Sequence, residues 1–175
     1  QATLWGLLRT MRPLQWVKNV LVFAALVFDE RIFDGDSLLR SIGAFAAFCA
    51  ISSSLYFVND LRDIESDRVH PRKRNRPLAA GVITPQQAVI TSVVLGVVAV
   101  ALSWVVRPTF TAVILAYAVL MLAYSAGLKR LVILDVFAIA AGFVLRAAGG
   151  AIASGVPISP WLYVCTLLLS LFVGF

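Results

Sequence analysis

Residues 41–58, SIGAFAAFCAISSSLYFV, carry no charged side chain, and apolar runs of similar length recur along the chain. Each complete crossing of a bilayer takes roughly 20 mostly apolar residues. Inside hydrocarbon every backbone N–H and C=O must be satisfied within the protein, which leaves helices or a closed barrel. Runs this long and continuous select helices. Five complete spans are expected near 14–28, 41–59, 86–106, 109–128 and 131–152, with a sixth beginning near 160. The first is short and interrupted by Lys18 and Asn19. The expected fold is an all-α, polytopic transmembrane helical bundle, with residues 1–175 forming a single membrane domain. A first residue other than Met and a last span that ends at LFVGF suggest the N-terminal part of a longer bundle.

The composition, 61% hydrophobic and 14% charged, excludes an ordinary soluble domain. The charges orient the spans. Ten Lys/Arg fall outside them on one side: Arg9, Arg12, Arg62, Arg68, Arg72, Lys73, Arg74, Arg76, Lys129 and Arg130. Only Arg31, Arg40 and Arg107 fall on the other, beside Asp29, Glu30, Asp34 and Asp36. The positive-inside rule places the N-terminus, the 60–84 loop and the 129–130 turn in the cytoplasm. Topology therefore accounts for the net charge of +6 without a nucleic-acid partner. Cys49 and Cys165 lie within expected spans, where cysteine behaves as a small apolar residue.

Directly after the uncharged run comes NDLRDIESD, residues 59–67, with four acids and one arginine in nine positions. If it continues the second helix, Asp60, Asp63 and Asp67 fall within roughly a 60° arc. Three carboxylates on one face repel one another unless a cation sits among them. Oxygen ligands suit a hard ion such as Mg²⁺, which commonly pairs one or two carboxylates with substrate phosphate. Asp60 and Asp67 would lie about 10 Å apart along the axis, so two ions or water bridges fit better than one ion touching all three. Asn59 adds an amide able to donate to phosphate or brace a carboxylate. The alternative is a solvated helix end whose acids pair with Arg62, Arg68 and the basic run beyond.

That run, HPRKRNRP at 70–77, supplies Lys73, Arg74 and Arg76 for a diphosphate's remaining charge, though positive-inside topology alone would also place them there. In the first span Gln15, Lys18 and Asn19 would share about a 100° arc, with Arg12 on the same side. In YSAGLKR, Tyr124, Ser125 and Lys129 cluster at a cytoplasmic helix end. In the fifth span Asp135 and Arg146 face one way but lie roughly 16 Å apart, so each needs another partner or a cavity.

Taken together, RPLQWVKN (12–19), NDLRDIESDRVHPRKRNRPLAAG (59–81) and YSAGLKRLVILDV (124–136) resemble the UbiA superfamily of intramembrane prenyltransferases. The acidic stretch fits that family's N-D-x-x-D-x-x-x-D motif. Within the superfamily the segments look most like the subgroup that transfers phosphoribose to decaprenyl phosphate. The resemblance implies nine helices around a central cavity in the full protein, with about five to six in this chain. It implies a Mg²⁺-bound diphosphate at Asn59, Asp60, Asp63 and Asp67. Most relatives carry a second aspartate-rich motif, which this chain does not show, and that departure suits a lipid monophosphate facing Lys129 and Arg146.

The implied reaction moves 5-phosphoribose from 5-phosphoribosyl diphosphate (PRPP) to a polyprenyl (decaprenyl) phosphate, releasing pyrophosphate, in cell-wall arabinan precursor synthesis. Asp60, Asp63 and Lys18 are the expected catalytic residues, with Asp60, Asp63 and Asp67 on the metal. Gln15, Asn19, Asn59, Lys73, Arg74, Arg76, Tyr124, Lys129 and Arg146 are the expected substrate contacts. The expected location is the plasma (inner) membrane, with the site facing the cytoplasm. Two other readings stay open: an aromatic or quinone-precursor prenyltransferase using polyprenyl diphosphate, and a non-enzymatic cation transporter.

Overall fold

A computed structural model describes residues 2–127, 132–157 and 160–174. Among these residues eight α-helices follow one another: α1 (Ala2–Met11), α2 (Ala24–Phe28), α3 (Gly35–Arg62), α4 (Ile64–Val69), α5 (Pro85–Val106), α6 (Pro108–Ala126), α7 (Val132–Ser154) and α8 (Pro160–Gly174). Two 3₁₀ segments, Pro13–Phe23 and Lys73–Asn75, lie between them. The described residues contain no β-strand, and α3, α5, α6 and the Leu134–Ser154 stretch of α7 are long and apolar enough to cross a membrane. The chain is an all-α transmembrane bundle.

Helices α3 and α7 form its centre, while α5 and α6 turn most of their surface outward. The outward side of α5 is a row of exposed valines, among them Val89, Val93 and Val97, as suits a face against lipid. Between α3 and α5 the Ser54 hydroxyl donates to the Ser92 carbonyl at 2.8 Å, and the Ser92 hydroxyl returns a bond to the Ser54 carbonyl at 3.0 Å. Such polar pairs add directional contacts where lipid offers no hydrophobic drive to association. The main core gathers around Phe48 of α3, whose ring lies 5.7 Å from Phe110 and 5.4 Å from Tyr117, both on α6.

The helix boundaries follow local chemistry. Thr84 caps α5 through a reciprocal pair, its Oγ1 accepting from Gln87 N at 3.2 Å while Gln87 Oε1 accepts from Thr84 N at 2.9 Å, with Pro85 at the first helical position. Arg107 and Pro108 divide α5 from α6, and the Arg107 guanidinium donates to the Ile152 carbonyl at 2.9 Å near the end of α7. Gly155 follows α7 at φ +75°, a backbone that glycine adopts without strain.

The first span departs from the α-helix expected over 14–28. Residues 13–23 wind as 3₁₀, and only Ala24–Phe28 is α. At three residues per turn, Trp16, Asn19 and Val22 stack on one edge; Trp16 is half-buried and the other two are buried. A reason lies on α7, where a Cβ at Gly150 would strike the Val22 carbonyl oxygen. The absent side chain lets the tighter segment lie backbone to backbone against the bundle. The 3₁₀ and α rises together still cover about 30 Å, the thickness of the hydrocarbon layer.

The polar end is braced by a second core of Phe57, Leu78, Ile83 and Ala88, joined by Leu7 and Met11 of α1. This cluster pins the 73–83 loop under α3 and α5 and so fixes where Arg76 stands. Loop hydrogen bonds from Arg76 N to Lys73 O and from Val82 N to Pro77 O tighten it, with Gly81 at φ +75°.

Candidate functional site

The acidic motif does not continue the second helix as one rod. α3 ends at Arg62, and Asp63, with φ −92° and ψ 5°, joins it to α4. Across this joint Asp60 and Asp67 are both buried, and one nitrogen serves both: Arg76 Nη1 lies 3.2 Å from Asp60 Oδ1 and 2.7 Å from Asp67 Oδ2. Arg12 Nη2 reaches the same oxygen, Asp60 Oδ1, at 2.7 Å. Asp63 sits half-buried at the joint, where its Oδ2 accepts from the Asn59 amide at 3.3 Å. The three aspartates are therefore not a ready ligand set: among the described residues no group of three or more His, Cys, Asp or Glu is gathered around a common point. Two of them share a guanidinium instead.

Two cavities meet at this end. The first, of about 290 Å³, is lined by Arg12, Lys18, Tyr56, Asn59, Tyr124 and Arg146, among others; among the described residues no carboxylate lines it, Asp135 standing beside Tyr124 outside the lining. The second, of about 240 Å³, takes Asp60 together with Arg9, Arg12, Arg72, Lys73 and Arg76. One is cationic without acids, and the other joins acid to base. An apolar groove of about 380 Å³ shares Lys18 and Phe143 with the first cavity and continues along Leu21, Phe28 and Leu162.

Arg146 defines the first cavity. It is 7% exposed. Its Nε donates to Asn19 Oδ1 at 2.8 Å, Nη1 to the Gly142 carbonyl at 2.9 Å and Nη2 to the Tyr117 hydroxyl at 2.7 Å. Its guanidinium also lies 4.8 Å from the Tyr117 ring centre and 5.4 Å from that of Phe143. All these partners are neutral, and among the described residues Arg146 has no ion pair. A buried charge with only neutral company is costly unless a ligand completes it.

The remaining expected residues divide by place. Lys18 lines the first cavity, while Asn19 is buried behind it and orients Arg146. Gln15 lines a separate apolar groove with Trp5 and Leu14, so the shared α-helical arc of Gln15, Lys18 and Asn19 is not formed. The 3₁₀ winding contributes by turning Asn19 about 120° from the edge that Gln15 and Lys18 share. Asn59 and Tyr124 line the first cavity, with Ser125 beside them. Lys73 lines the second, and Arg74 is exposed on the 3₁₀ turn. Lys129 lies outside the described residues.

Two further residues belong to the site. Arg12, which by sequence is one of the cytoplasmic charges on the side of Lys18, stands between the cavities. Tyr117 carries one faint signal, a hydroxyl amid the apolar middle of its span at 112–123.

A family model described as the UbiA prenyltransferase family matches residues 17–175. The decaprenyl-phosphate phosphoribosyltransferase of Mycolicibacterium smegmatis is 38% identical over 173 residues, covering 97% of this chain and 54% of that protein. Its namesake in Mycobacterium tuberculosis is 38% identical over 172 residues, covering 96% and 57%. The chain thus spans little more than half the length of these curated relatives. Among solved structures, a UbiA homolog from Archaeoglobus fulgidus bound to GPP and Mg²⁺ aligns with a TM-score of 0.81 at 22% identity, covering 96% of this chain and 60% of that one.

Proposed function

This chain belongs to the UbiA prenyltransferase family, and from that premise we propose that it forms the phosphate-handling part of a membrane transferase that moves 5-phosphoribose from PRPP to a polyprenyl (decaprenyl) phosphate, releasing pyrophosphate. The observation that carries the reading is the cationic cavity around Arg146, lined by no carboxylate among the described residues and set beside a second cavity that holds Asp60. A transfer between two anionic substrates needs two such places. The 38% identity to decaprenyl-phosphate phosphoribosyltransferases supports the same choice.

The acidic side suits Mg²⁺ by its donor chemistry. Asn59, Asp60, Asp63 and Asp67 offer only hard oxygen ligands, and Asp60 and Asp67 already enclose one positive nitrogen between them. Asp60, Asp63 and Asp67 would hold the metal, which when bound neutralises the departing diphosphate as a Lewis acid. Lys73 and Arg76 would meet the remaining diphosphate charge. Arg146 and Lys18 would bind the lipid phosphate, Asn19 and Tyr117 holding the guanidinium plane in position. Tyr124, Asn59 and Lys129 would close the space around the ribose.

A lipid phosphate oxygen would form the new bond to C1 as the C1–O bond to diphosphate breaks, the electron pair leaving with pyrophosphate. That oxygen is already anionic at neutral pH, so the step needs positioning rather than a strong base. The apolar groove that shares Lys18 with the cavity would take the start of the polyprenyl tail. The basic loops would face the cytoplasm across the plasma membrane.

The test uses the full-length protein in membranes with labelled PRPP and a polyprenyl phosphate. Labelled lipid and pyrophosphate are expected. Their absence, with prenyl transfer from a prenyl diphosphate to an aromatic acceptor in its place, would overturn the proposal.

A further inference from the structure

Arg12 has an unusual backbone for its residue type. It joins α1 to the 3₁₀ segment at φ 53° and ψ 61°, in the left-handed region, immediately before Pro13. A residue ahead of proline normally lies in the extended region, and a non-glycine residue stays left-handed only where its surroundings enforce it. Here Arg12 N donates to Arg9 O at 3.2 Å, and Gln15 N donates to Arg12 O at 2.8 Å, which fix the turn on both sides. The turn aims the side chain at the wall between the two cavities, and among the described residues Arg12 alone lines both. Its guanidinium bonds Asp60 on one flank at 2.7 Å and lies 4.6 Å from the Tyr56 ring centre.

We propose that Arg12 couples the two cavities, so that filling the acid-bearing one prepares the acid-free one for an anion. The inference rests on the proposed reading of two phosphate substrates. As the chain stands, Arg12 and Arg76 both spend their charge on Asp60. When a divalent cation and its diphosphate engage that carboxylate, Arg12 no longer has an acid to satisfy. Of the two other spaces that it lines, the groove beside Trp5 and Leu14 is apolar and the cavity beside Lys18 and Arg146 is cationic, so its guanidinium then serves an anion in the latter. The geometry thus orders the substrates, with the diphosphate first and the lipid monophosphate second. Linkage requires the converse as well: a bound lipid phosphate tightens the diphosphate by the same factor.

The experiment uses full-length protein in lipid nanodiscs and two probes, Mg²⁺ with inorganic pyrophosphate and a short-chain polyprenyl monophosphate. The lipid's Kd is measured with and without saturating Mg²⁺-pyrophosphate. In the unaltered protein pyrophosphate should tighten the lipid by about tenfold or more, within the usual range of coupling between sites. Arg12→Gly suits the test because glycine adopts the left-handed turn freely, so the fold is not put at risk by the backbone. In that variant the ratio should fall to about one, with the lipid's Kd at the pyrophosphate-free level of the unaltered protein. Arg12→Lys, which keeps charge without the planar fork, should recover part of the ratio. Pyrophosphate binding retained within about fivefold in Arg12→Gly reports an intact acidic site, where loss of a merely structural residue would impair both ligands.

A full ratio in Arg12→Gly, or no linkage in the unaltered protein, overturns the inference. If PRPP is turned over while the ratio survives the substitution, this inference fails alone. If the ratio behaves as described but PRPP is not turned over, the proposed reaction fails and the coupling stands.

Discussion

Replacing Arg146 by Met separates a substrate site from a structural brace. The substitution keeps an apolar stem of similar length and removes a guanidinium that is buried among Asn19, Gly142 and Tyr117. Two large effects on stability oppose each other. The Asn19 amide oxygen and the Tyr117 hydroxyl lose a charged donor, each orphan costing about 1–3 kcal/mol. Removing a buried charge with no acidic partner returns a desolvation cost of several kcal/mol. The net change in stability should stay within about 2 kcal/mol, small for a fully buried arginine. Binding has no such offset. A hydrogen bond to a charged group contributes about 1.5–3 kcal/mol, which at about 1.4 kcal/mol per factor of ten is roughly tenfold to 150-fold.

The assay is steady-state transfer by the full-length protein in nanodiscs, varying the polyprenyl phosphate at saturating PRPP, with thermal unfolding followed in parallel. The expected result is a rise in KM for the lipid of that size, an unfolding midpoint near that of the parent, and little change in the KM for PRPP. Arg146→Lys should fall between, since an ammonium keeps the charge but cannot reproduce a planar fork to three acceptors. A collapsed midpoint with an unchanged lipid KM in the folded fraction would show that Arg146 only braces the bundle.

Other perturbations probe the scaffold around it. Gly150→Ala places a methyl against the Val22 backbone and should destabilise by at least about 1–3 kcal/mol. Gly96→Ala, whose Cβ would meet only Ser54 Oγ at 3.5 Å, should be neutral or stabilising by up to about 1 kcal/mol, and equal unfolding midpoints for the two variants would refute the close-approach argument. Arg76→Ala strips Asp67 of its ion-pair partner among the described residues and should cost about 3 kcal/mol, at the low end for a buried pair because Arg76 is 26% exposed and Asp60 keeps Arg12. Added Mg²⁺ should then raise the unfolding midpoint of Arg76→Ala more than that of the parent; the same Mg²⁺ response in both would remove the aspartates from the metal assignment.

Much of the scaffold was legible because hydrocarbon is a demanding solvent. The uncharged runs at 41–59 and 86–106 and the mostly apolar run at 131–152 could only be spans, and α3, α5 and α7 occupy them with ends moved by a few residues. Thr84-Pro85-Gln86-Gln87 forms a capping box whose bonds are all local, so the start of α5 is written in the sequence itself. The placing of Lys18 and Asn19 was less legible. A period of 3.6 was the natural reading of a short span, whereas the 3₁₀ winding answers to Gly150, more than 120 residues downstream. The link between Asp60, Asp67 and Arg76 was hidden for a similar reason. It depends on how Leu78 and Ile83 anchor a loop against Phe57, and no local spacing reports that.

Both departures from α geometry fall at the site, and each answers a problem of charge. A straight helix through 59–67 would stack carboxylates along about 10 Å with Arg62 as its one internal counter-charge. The joint at Asp63 instead accompanies an arrangement in which one Arg76 nitrogen serves Asp60 and Asp67 together. On the facing wall, neighbouring residues of a 3₁₀ segment stand about 120° apart. Asn19 can therefore turn inward to Arg146 while Lys18 lines the boundary between cavity and apolar groove. The consequence is an asymmetry that a regular helix pair would not produce. The buried acids, Asp60 and Asp67, already hold cations, whereas the buried cation, Arg146, holds only dipoles. An anion entering this end of the bundle therefore gains most at Arg146, and at the acids it must first bring a cation of its own.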